Sequence, residues 1–302
     1  MGDLLRELKA HHTVTILKSP FTPKRVEQFM RNLDVLYIEW CIDYMVTITN
    51  VPKHCKIVTR LHRMEVHGRW GKKAKFQKVD LLILVNSFMK DYCFQYMPNL
   101  RNVKKIKVIQ HGVDIDEFKY NPGRGYGKRL GWVGYLKPVK DPLFALTLMN
   151  SLPRWQLRFI GLPSKHPHLT RATRKLAREH HNIIWLDKKI SHNKMPAYYR
   201  KLDIFLNTST IESQCVSILE AMSCGVYPLI RKWPHPQCRP EEIYPEANLF
   251  TTVEECKRKI GTWVKLSVSE KRQKSRQMRQ FIEARYNAKD KAREMRQAIE
   301  SA

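Results

Sequence analysis

Short β-rich apolar runs, each followed by a stretch with helical spacing, recur along this chain. The first series is "TVTIL" (13–17), "VLYIEW" (35–40), "KIVTRL" (56–61), "LLILVN" (81–86) and "KIKVIQ" (105–110). The second is "RLGWVGY" (129–135), "QLRFIG" (156–161), "NIIWL" (182–186), "DIFLNT" (203–208) and "VYPLI" (226–230). Unbroken apolar runs predict strands buried on both faces, and strands alternating with helices predict parallel sheets. Ten such runs are many for one sheet, and they part at "YNPGRGYGKR" (120–129), a Gly-rich basic stretch that reads as a linker. The expected fold is therefore α/β: two Rossmann-like domains facing a cleft.

The boundaries follow. Residues 1–122 form the expected N-terminal domain, 128–268 the second, and 269–302 a pair of helices crossing back to the first. A break is expected near Tyr286-Asn287. The chain opens on a helical pattern, "GDLLRELKAH", feeding "TVTIL". A doubly wound domain ordinarily opens on a strand and a tight Gly-rich turn, so the first domain is expected to be short of its opening strand.

Charge changes the picture. The chain holds 55 Lys and Arg against 28 Asp and Glu in 302 residues, a net +27. Such a surplus says little about fold and favours anionic partners: nucleic acid, phospholipid headgroups or phosphorylated substrates. Residues 257–302 alone carry 14 Lys/Arg against 5 Asp/Glu, which fits a solvated helix face as well as an acceptor-facing one. The seven cysteines (41, 55, 93, 215, 224, 238, 256) include no C-x-x-C pair, which points to a reducing compartment and away from a metal site. "MGDLLRELKAHH" has no signal-peptide character, and "VDLLILV" (79–85) is too short to span a bilayer. A cytoplasmic protein is expected, soluble or peripheral at the inner face of the membrane.

The chemistry concentrates in "TSTIESQCVSILEAMSCG" (208–225), with Glu212 and Glu220 eight positions apart. Two glutamates at that spacing are common by chance; their setting is not. "DIFLNTS" reads as a buried parallel strand, the loop Ser209–Cys215 lies at its carboxyl end, and a helix begins near Val216. Ligands of open α/β sheets bind at the carboxyl ends of strands. A helix N-terminus there offers unpaired N–H groups and about half a positive charge, suited to phosphate. Carboxylates beside a polyanion need another role, and ionised carboxylates accept well from vicinal hydroxyls. Phosphates read by amides and hydroxyls read by carboxylates suggest a nucleotide-sugar.

The segment resembles the Glu-x7-Glu signature of the group 1 (family 4) retaining glycosyltransferases of GT-B fold, through Ser209, Glu212, Glu220, Ala221, Met222 and Gly225. Other landmarks fall in order: "VIQHGVDIDEF" (108–118), with His111 where the family has Asn; "WVGYLKPVKDP" (132–142), giving Gly134, Leu136 and Lys140; "RFIG" (158–161); and the run "NIIWLDKKISHNKMPAYYRKLDIFLNTS". The resemblance covers roughly residues 50–300. It implies transfer of a sugar, with retained anomeric configuration, from a UDP- or GDP-linked donor to an acceptor hydroxyl, without a metal or other cofactor. Lipid-linked or cell-envelope glycans are the expected acceptors.

Carried over by position, Glu212 contacts the donor sugar's hydroxyls, Glu220 the ribose and Lys140 the diphosphate. The amides of Gln214, Cys215 and Val216 cradle the distal phosphate, and Gly134, Tyr135, Ser209 and Ser213 complete the donor set. Ser213 and Gln214 replace the family's Gly and Phe. Tyr135 replaces the Arg that joins Lys140 at the phosphates, with Lys137 or Arg231 as candidates to compensate. His62, following a predicted strand, joins Glu212 and Lys140 in the expected catalytic set; His67 and His111 are weaker candidates.

"GRWGKKAKFQK" (68–78) interleaves Arg69, Lys72, Lys73 and Lys75 with Trp70, a pattern for an anionic membrane or a phosphorylated or nucleic-acid acceptor, and equally for a solvated helix face. Two alternatives stand beside transfer to a glycan: a glycosyltransferase acting on DNA, for which +27 would be an asset, and a catalytically impaired GT-B scaffold or binding protein.

Overall fold

The structure, a computed structural model, describes residues 2–186 and 189–302. Asp187 and Lys188, inside the run expected to lead into the signature, lie outside the described residues. The chain divides into two compact units: residues 1–112 with 288–302, and residues 113–287.

The first unit contains α1 (Gly2–His11), α2 (Pro23–Met30), β1 (Val35–Ile38), α3 (Tyr44–Asn50), β2 (Lys56–Leu61), β3 (Leu81–Leu84), α4 (Met89–Tyr96) and β4 (Lys105–Val108). The strands form a parallel sheet in the order β1-β2-β3-β4. β3 is buried at every position, as its unbroken Leu/Ile run demands. β4 is an edge strand whose Lys105 and Lys107 are exposed, a charge pattern that discourages pairing with another chain. Val58, Leu81, Ile83 and Ile109 pack with Leu4 of α1 and with Met295 and Ile299 from the end of the chain.

"TVTIL" is not a strand. Thr13, Thr15 and Ile16 are exposed, and β-branched residues make a strand only where a sheet edge accepts them.

The second unit contains β5 (Arg129–Tyr135), α5 (Pro142–Leu148), β6 (Gln156–Leu162), α6 (Pro167–Glu179), β7 (Ile183–Trp185), α7 (Met195–Tyr199), β8 (Ile204–Asn207), α8 (Val216–Ser223), β9 (Tyr227–Arg231), β10 (Leu249–Phe250), α9 (Val253–Lys265) and α10 (Val268–Arg285). The sheet is parallel throughout, in the order β10-β9-β8-β5-β6-β7. Its core stacks Trp132 on Phe159 at 4.4 Å and adds Leu130, Leu206, Leu229, Phe250, Ile260 and Trp263. β10 is not among the expected runs, being only two residues long.

The Gly-rich 120–129 stretch lies within this second unit. Its Arg124 is buried, 3.5 Å from Asp203. α10 starts on a capping box, Ser267 with Glu270, and ends at Arg285. After Tyr286 and Asn287 the chain re-enters the first unit as α11 (Ala288–Glu300), packed on α1. Both units are thus parallel α/β layers, as expected. Among the described residues no helix is long and apolar enough to cross a membrane, no cluster of His, Cys, Asp and Glu could hold a metal ion, and all seven cysteines are buried thiols outside any disulfide.

Candidate active site

Chain order and sheet order together select one place in the second unit. From β5 the chain winds outward through β6 and β7, then returns to the other side of β5 to lay down β8. The crevice beyond the carboxyl ends of β5 and β8 is therefore a topological switch point, where open α/β sheets bind ligands. The loops over it are 136–141 and 208–215.

These loops are stitched together by polar groups of the chain itself. The Trp132 indole N–H donates to Thr208 Oγ1 at 2.9 Å, and that hydroxyl lies 2.8 Å from the carbonyls of both Lys140 and Asp141. The Thr210 amide donates to the Val139 carbonyl at 2.8 Å. Asp141, in the left-handed region at φ 43°, caps α5 through Phe144 N and pairs with Arg231 at 2.7 Å. The stitching brings Lys140 to Glu212: their side chains form an ion pair, and Ser209 Oγ donates to the same carboxylate oxygen of Glu212 at 2.8 Å. Glu212 is buried. A buried carboxylate is tolerable because a cation and a hydroxyl meet it.

α8 starts at Val216, where the sequence places it. Glu220 is buried one turn in, accepting from Tyr199 OH at 2.8 Å and lying 3.0 Å from His192 Nε2. That contact raises the His192 pKa above its ordinary value, against the pull of burial. Glu117 adds a weaker pull, 3.5 Å from His192 Nδ1. The Cys215 amide, expected to cradle phosphate, donates to Tyr244 OH at 3.1 Å. The signature's glycine is structural. Gly225 stands at φ +75° just past α8, and its amide and that of Val226 return to Met222 and Ala221 at 2.9 Å, the αL stop that ends a helix.

Other expected donor-site residues fall around this crevice. Gly134 lies in β5, where a Cβ would come within 3.0 Å of the Trp132 ring. Tyr135, ending the strand, is half exposed with the Lys137 ammonium 5.6 Å from its ring centroid, while Arg231 is taken up by Asp141 and by Phe144, 5.0 Å beneath its guanidinium. Ser213 and Gln214 lie in the loop before α8, with Gln214 buried.

His62, His67, His111 and the 69–75 cations belong to the first unit. His62 follows β2 directly; its ring stacks on Trp40 at 4.2 Å and on His111 at 5.3 Å, and Glu39 lies 3.5 Å from its Nε2. Burial holds His111 well below its usual pKa. Glu39 is lowered: burial pulls it up, but His62, Arg60 and Tyr37 outweigh that. Glu65 accepts from the amides of His62 (2.9 Å) and Cys41 (3.1 Å) through one oxygen, while the other is buried without a hydrogen-bond partner; burial pushes its pKa up to about 7. His67 instead contacts Tyr92 OH at 2.9 Å and Tyr96 edge-on at 4.7 Å. Arg69, Lys72 and Lys73 are exposed on a short 3-10 turn, not on an α-helix, Lys75 is exposed just beyond it, and Trp70 is half-buried near Phe76.

Reasoning from sequence missed Tyr199, His192, Tyr244, Glu39, Trp40 and Glu65. Glu39 carried one available signal, a charged residue directly after the buried run "VLYI".

Residues 127–238 match the family described as glycosyl transferases group 1. No curated protein matches the chain by sequence. Among solved structures, Anabaena HepE in complex with UDP and glucose superposes with a TM-score of 0.77 at 16% identity, over 99% of this chain and 89% of that one. A glycosyltransferase from Rickettsia africae gives 0.71 at 15%, over 98% and 87%. A trehalose-6-phosphate synthase, studied for enzymatic glycosyltransfer with retention, gives 0.71 at 10%, over 93% and 76%. Within the second unit, the segment that forms the switch-point crevice is thus the one similar to group 1 glycosyl transferases. The two-sheet α/β fold is that of the GT-B glycosyltransferases, and the resemblance stated for the sequence is borne out.

Proposed function

We propose that the protein is a retaining glycosyltransferase that moves a hexose from a UDP- or GDP-linked donor to a hydroxyl of a lipid-linked or cell-envelope glycan. One observation carries the reading: Lys140, Ser209 and Glu212 converge over the β5–β8 switch point, ahead of the N-terminus of α8. The Lys140–Glu212 pair accounts for a carboxylate beside a diphosphate. The ammonium cancels the carboxylate's repulsion while the carboxylate remains able to accept sugar hydroxyls. Glu220, oriented by Tyr199, is the acceptor for ribose hydroxyls, and His192 is the group that a ribose would displace or join. HepE bound to UDP and glucose, and retention studied in trehalose-6-phosphate synthase, support the donor class and the stereochemistry.

In the reaction, the bond from the sugar's anomeric carbon to the diphosphate oxygen breaks, and its electron pair leaves with the phosphate. The acceptor oxygen bonds to the same face of that carbon, and its proton passes to the departing phosphate. Lys140 and the first amides of α8 stabilise the growing charge, a role this reading gives to them and not to a metal ion. In the first unit the reading gives His62 a substrate contact, and gives Arg69, Trp70, Lys72, Lys73 and Lys75 an anionic acceptor or membrane surface.

A second reading, nucleotide binding without turnover, is favoured by the Cys215 amide, which is engaged by Tyr244. The test is incubation with UDP-glucose and GDP-mannose and a panel of lipid-linked sugar acceptors, with the new linkage assigned by NMR. Retained configuration is expected. Inversion contradicts the mechanism, and nucleotide binding without any transfer favours the second reading.

A further inference from the structure

α6 divides sharply between its faces. Thr170, Thr173 and Ala177 are buried and Leu176 packs on the core of the unit. Arg171, Arg174, Lys175 and Arg178, spaced i, i+3, i+4 and i+7, are exposed together on the other side. The helix contains a single acid, Glu179, 4.0 Å from Lys175. The four cations line a groove of about 780 Å³ together with Pro163, Ser164 and, at its end in sequence, Glu179. A second hollow of about 500 Å³ adjoins it through the shared Pro167, bringing in Lys165, His166 and His168 and reaching Pro138 and Asp141, beside Lys140. From Arg171 to Arg178 the cationic track runs roughly 10 Å at the helical rise.

We propose that this track binds a linear chain of phosphate groups that bears no bases. Arginine forks pair bidentately with such oxyanions, and their repetition along two turns calls for repeated charge in the ligand. A membrane fits less well: a helix lying on lipid inserts an apolar face, that face of α6 is already in the core, and no large hydrophobic residue within 163–182 is exposed. Single-stranded nucleic acid needs aromatic faces on which to stack bases. The ring beside α6, Trp185, already has the Arg174 guanidinium 5.8 Å away over it. Use of the track by an anionic acceptor rests on the transferase reading; binding itself does not.

The test is calorimetric titration of the full chain with inorganic polyphosphate of roughly 15 units, at near-physiological salt because such binding is salt-dependent. An oligothymidylate of equal length and phosphatidylserine vesicles serve as rival ligands. Arg171→Ser with Arg178→Ser is compared with a charge-matched pair on α10, Arg272→Ser with Arg276→Ser. The expected result is binding about tenfold weaker in the α6 pair and changed by less than about twofold in the α10 pair, with polyphosphate the tightest ligand. UDP binding, read in the same proteins, should be equal in all three, so that failure of the donor site and failure of this track are separable. Equal weakening in both pairs would reduce the track to diffuse surface charge. Tighter binding of oligothymidylate or vesicles, or no polyphosphate binding, would overturn the ligand class.

Discussion

The two sheets treat their amino ends alike and their carboxyl ends differently. Just before β3, buried Asp80 meets Lys104 at 2.8 Å, the Ile57 amide at 2.9 Å and Lys53. Just before β8, buried Asp203 meets Arg129 at 2.8 Å, the amides of Gly127 and Arg129 at 3.0 Å, and Arg124 at 3.5 Å. Both carboxylates tie strands together, and both are matched by cations. At the carboxyl ends the pattern splits. In the second unit Glu212 and Glu220 are each engaged by side chains: a flexible ammonium, the buried hydroxyls of Ser209 and Tyr199, and a largely exposed imidazole. In the first unit Glu65 is locked between two backbone amides and leaves an oxygen buried without a hydrogen bond. Glu39, just after β1, is held by side chains as well, with His62 at 3.5 Å and Arg60 at 3.7 Å, so the contrast is between Glu65, held by backbone, and the two glutamates of the second unit.

Breaking a scaffold carboxylate should have the largest effect. Asp203→Asn leaves buried Arg124 without its counter-charge and should cost about 3–5 kcal/mol in denaturant unfolding of the second unit. Lys140→Ala should leave folding nearly intact while lowering transfer by about 10²–10³ in kcat, the usual loss when one preorganised donor to a developing charge is removed. Equal losses of stability from both substitutions would erase the distinction between scaffold and binding edges.

Glu65 sharpens the first unit's side. Its folded pKa, about 7, lies above the ordinary 4.5, so it adds stability that is complete below about pH 4.5 and lost as the pH rises through 7. The full span is on the order of 3 kcal/mol. Glu65→Gln keeps an acceptor for the Cys41 and His62 amides but cannot titrate. The difference in melting temperature between wild type and variant should therefore change between pH 5 and pH 8 as this proton is released. Glu39 and His62 also act on Glu65, so the change reports the proton shared by this coupled group and not by Glu65 alone. A difference independent of pH would contradict the assignment. The last effect is expected from Gly225→Ala, which forces a side chain into the left-handed region, costing about 1–2 kcal/mol, and to 2.4 Å from the Tyr120 ring, which adds to that as the ring is displaced; nucleotide affinity should be retained.

Local signals explain what was legible in the sequence. β3 is an unbroken apolar run, β5, β6 and β8 are mostly apolar with few polar positions such as Arg158, and α8 begins where the polar loop 208–215 ends, so the edge bearing Glu212 and Glu220 could be placed from composition and spacing alone. What stayed hidden depends on partners distant along the chain: Lys140 lies 72 residues before Glu212, and Arg129 74 before Asp203. The Tyr244 hydroxyl that engages the Cys215 amide comes from 29 residues further on, outside the signature. "TVTIL" failed for the complementary reason: its local propensity is strand-like, but no edge receives it.

If the β5–β8 crevice is a nucleotide site in which Glu220 grips the ribose, removing that carboxylate's charge should abolish the grip. Calorimetric titration of wild type and Glu220→Gln with UDP, GDP and ADP reads this without intermediaries, with circular dichroism to establish that both are folded. Micromolar binding of one nucleotide by wild type, lost or weakened at least about tenfold in the variant, is the predicted result. Binding by neither protein, or equal binding by both, would contradict it.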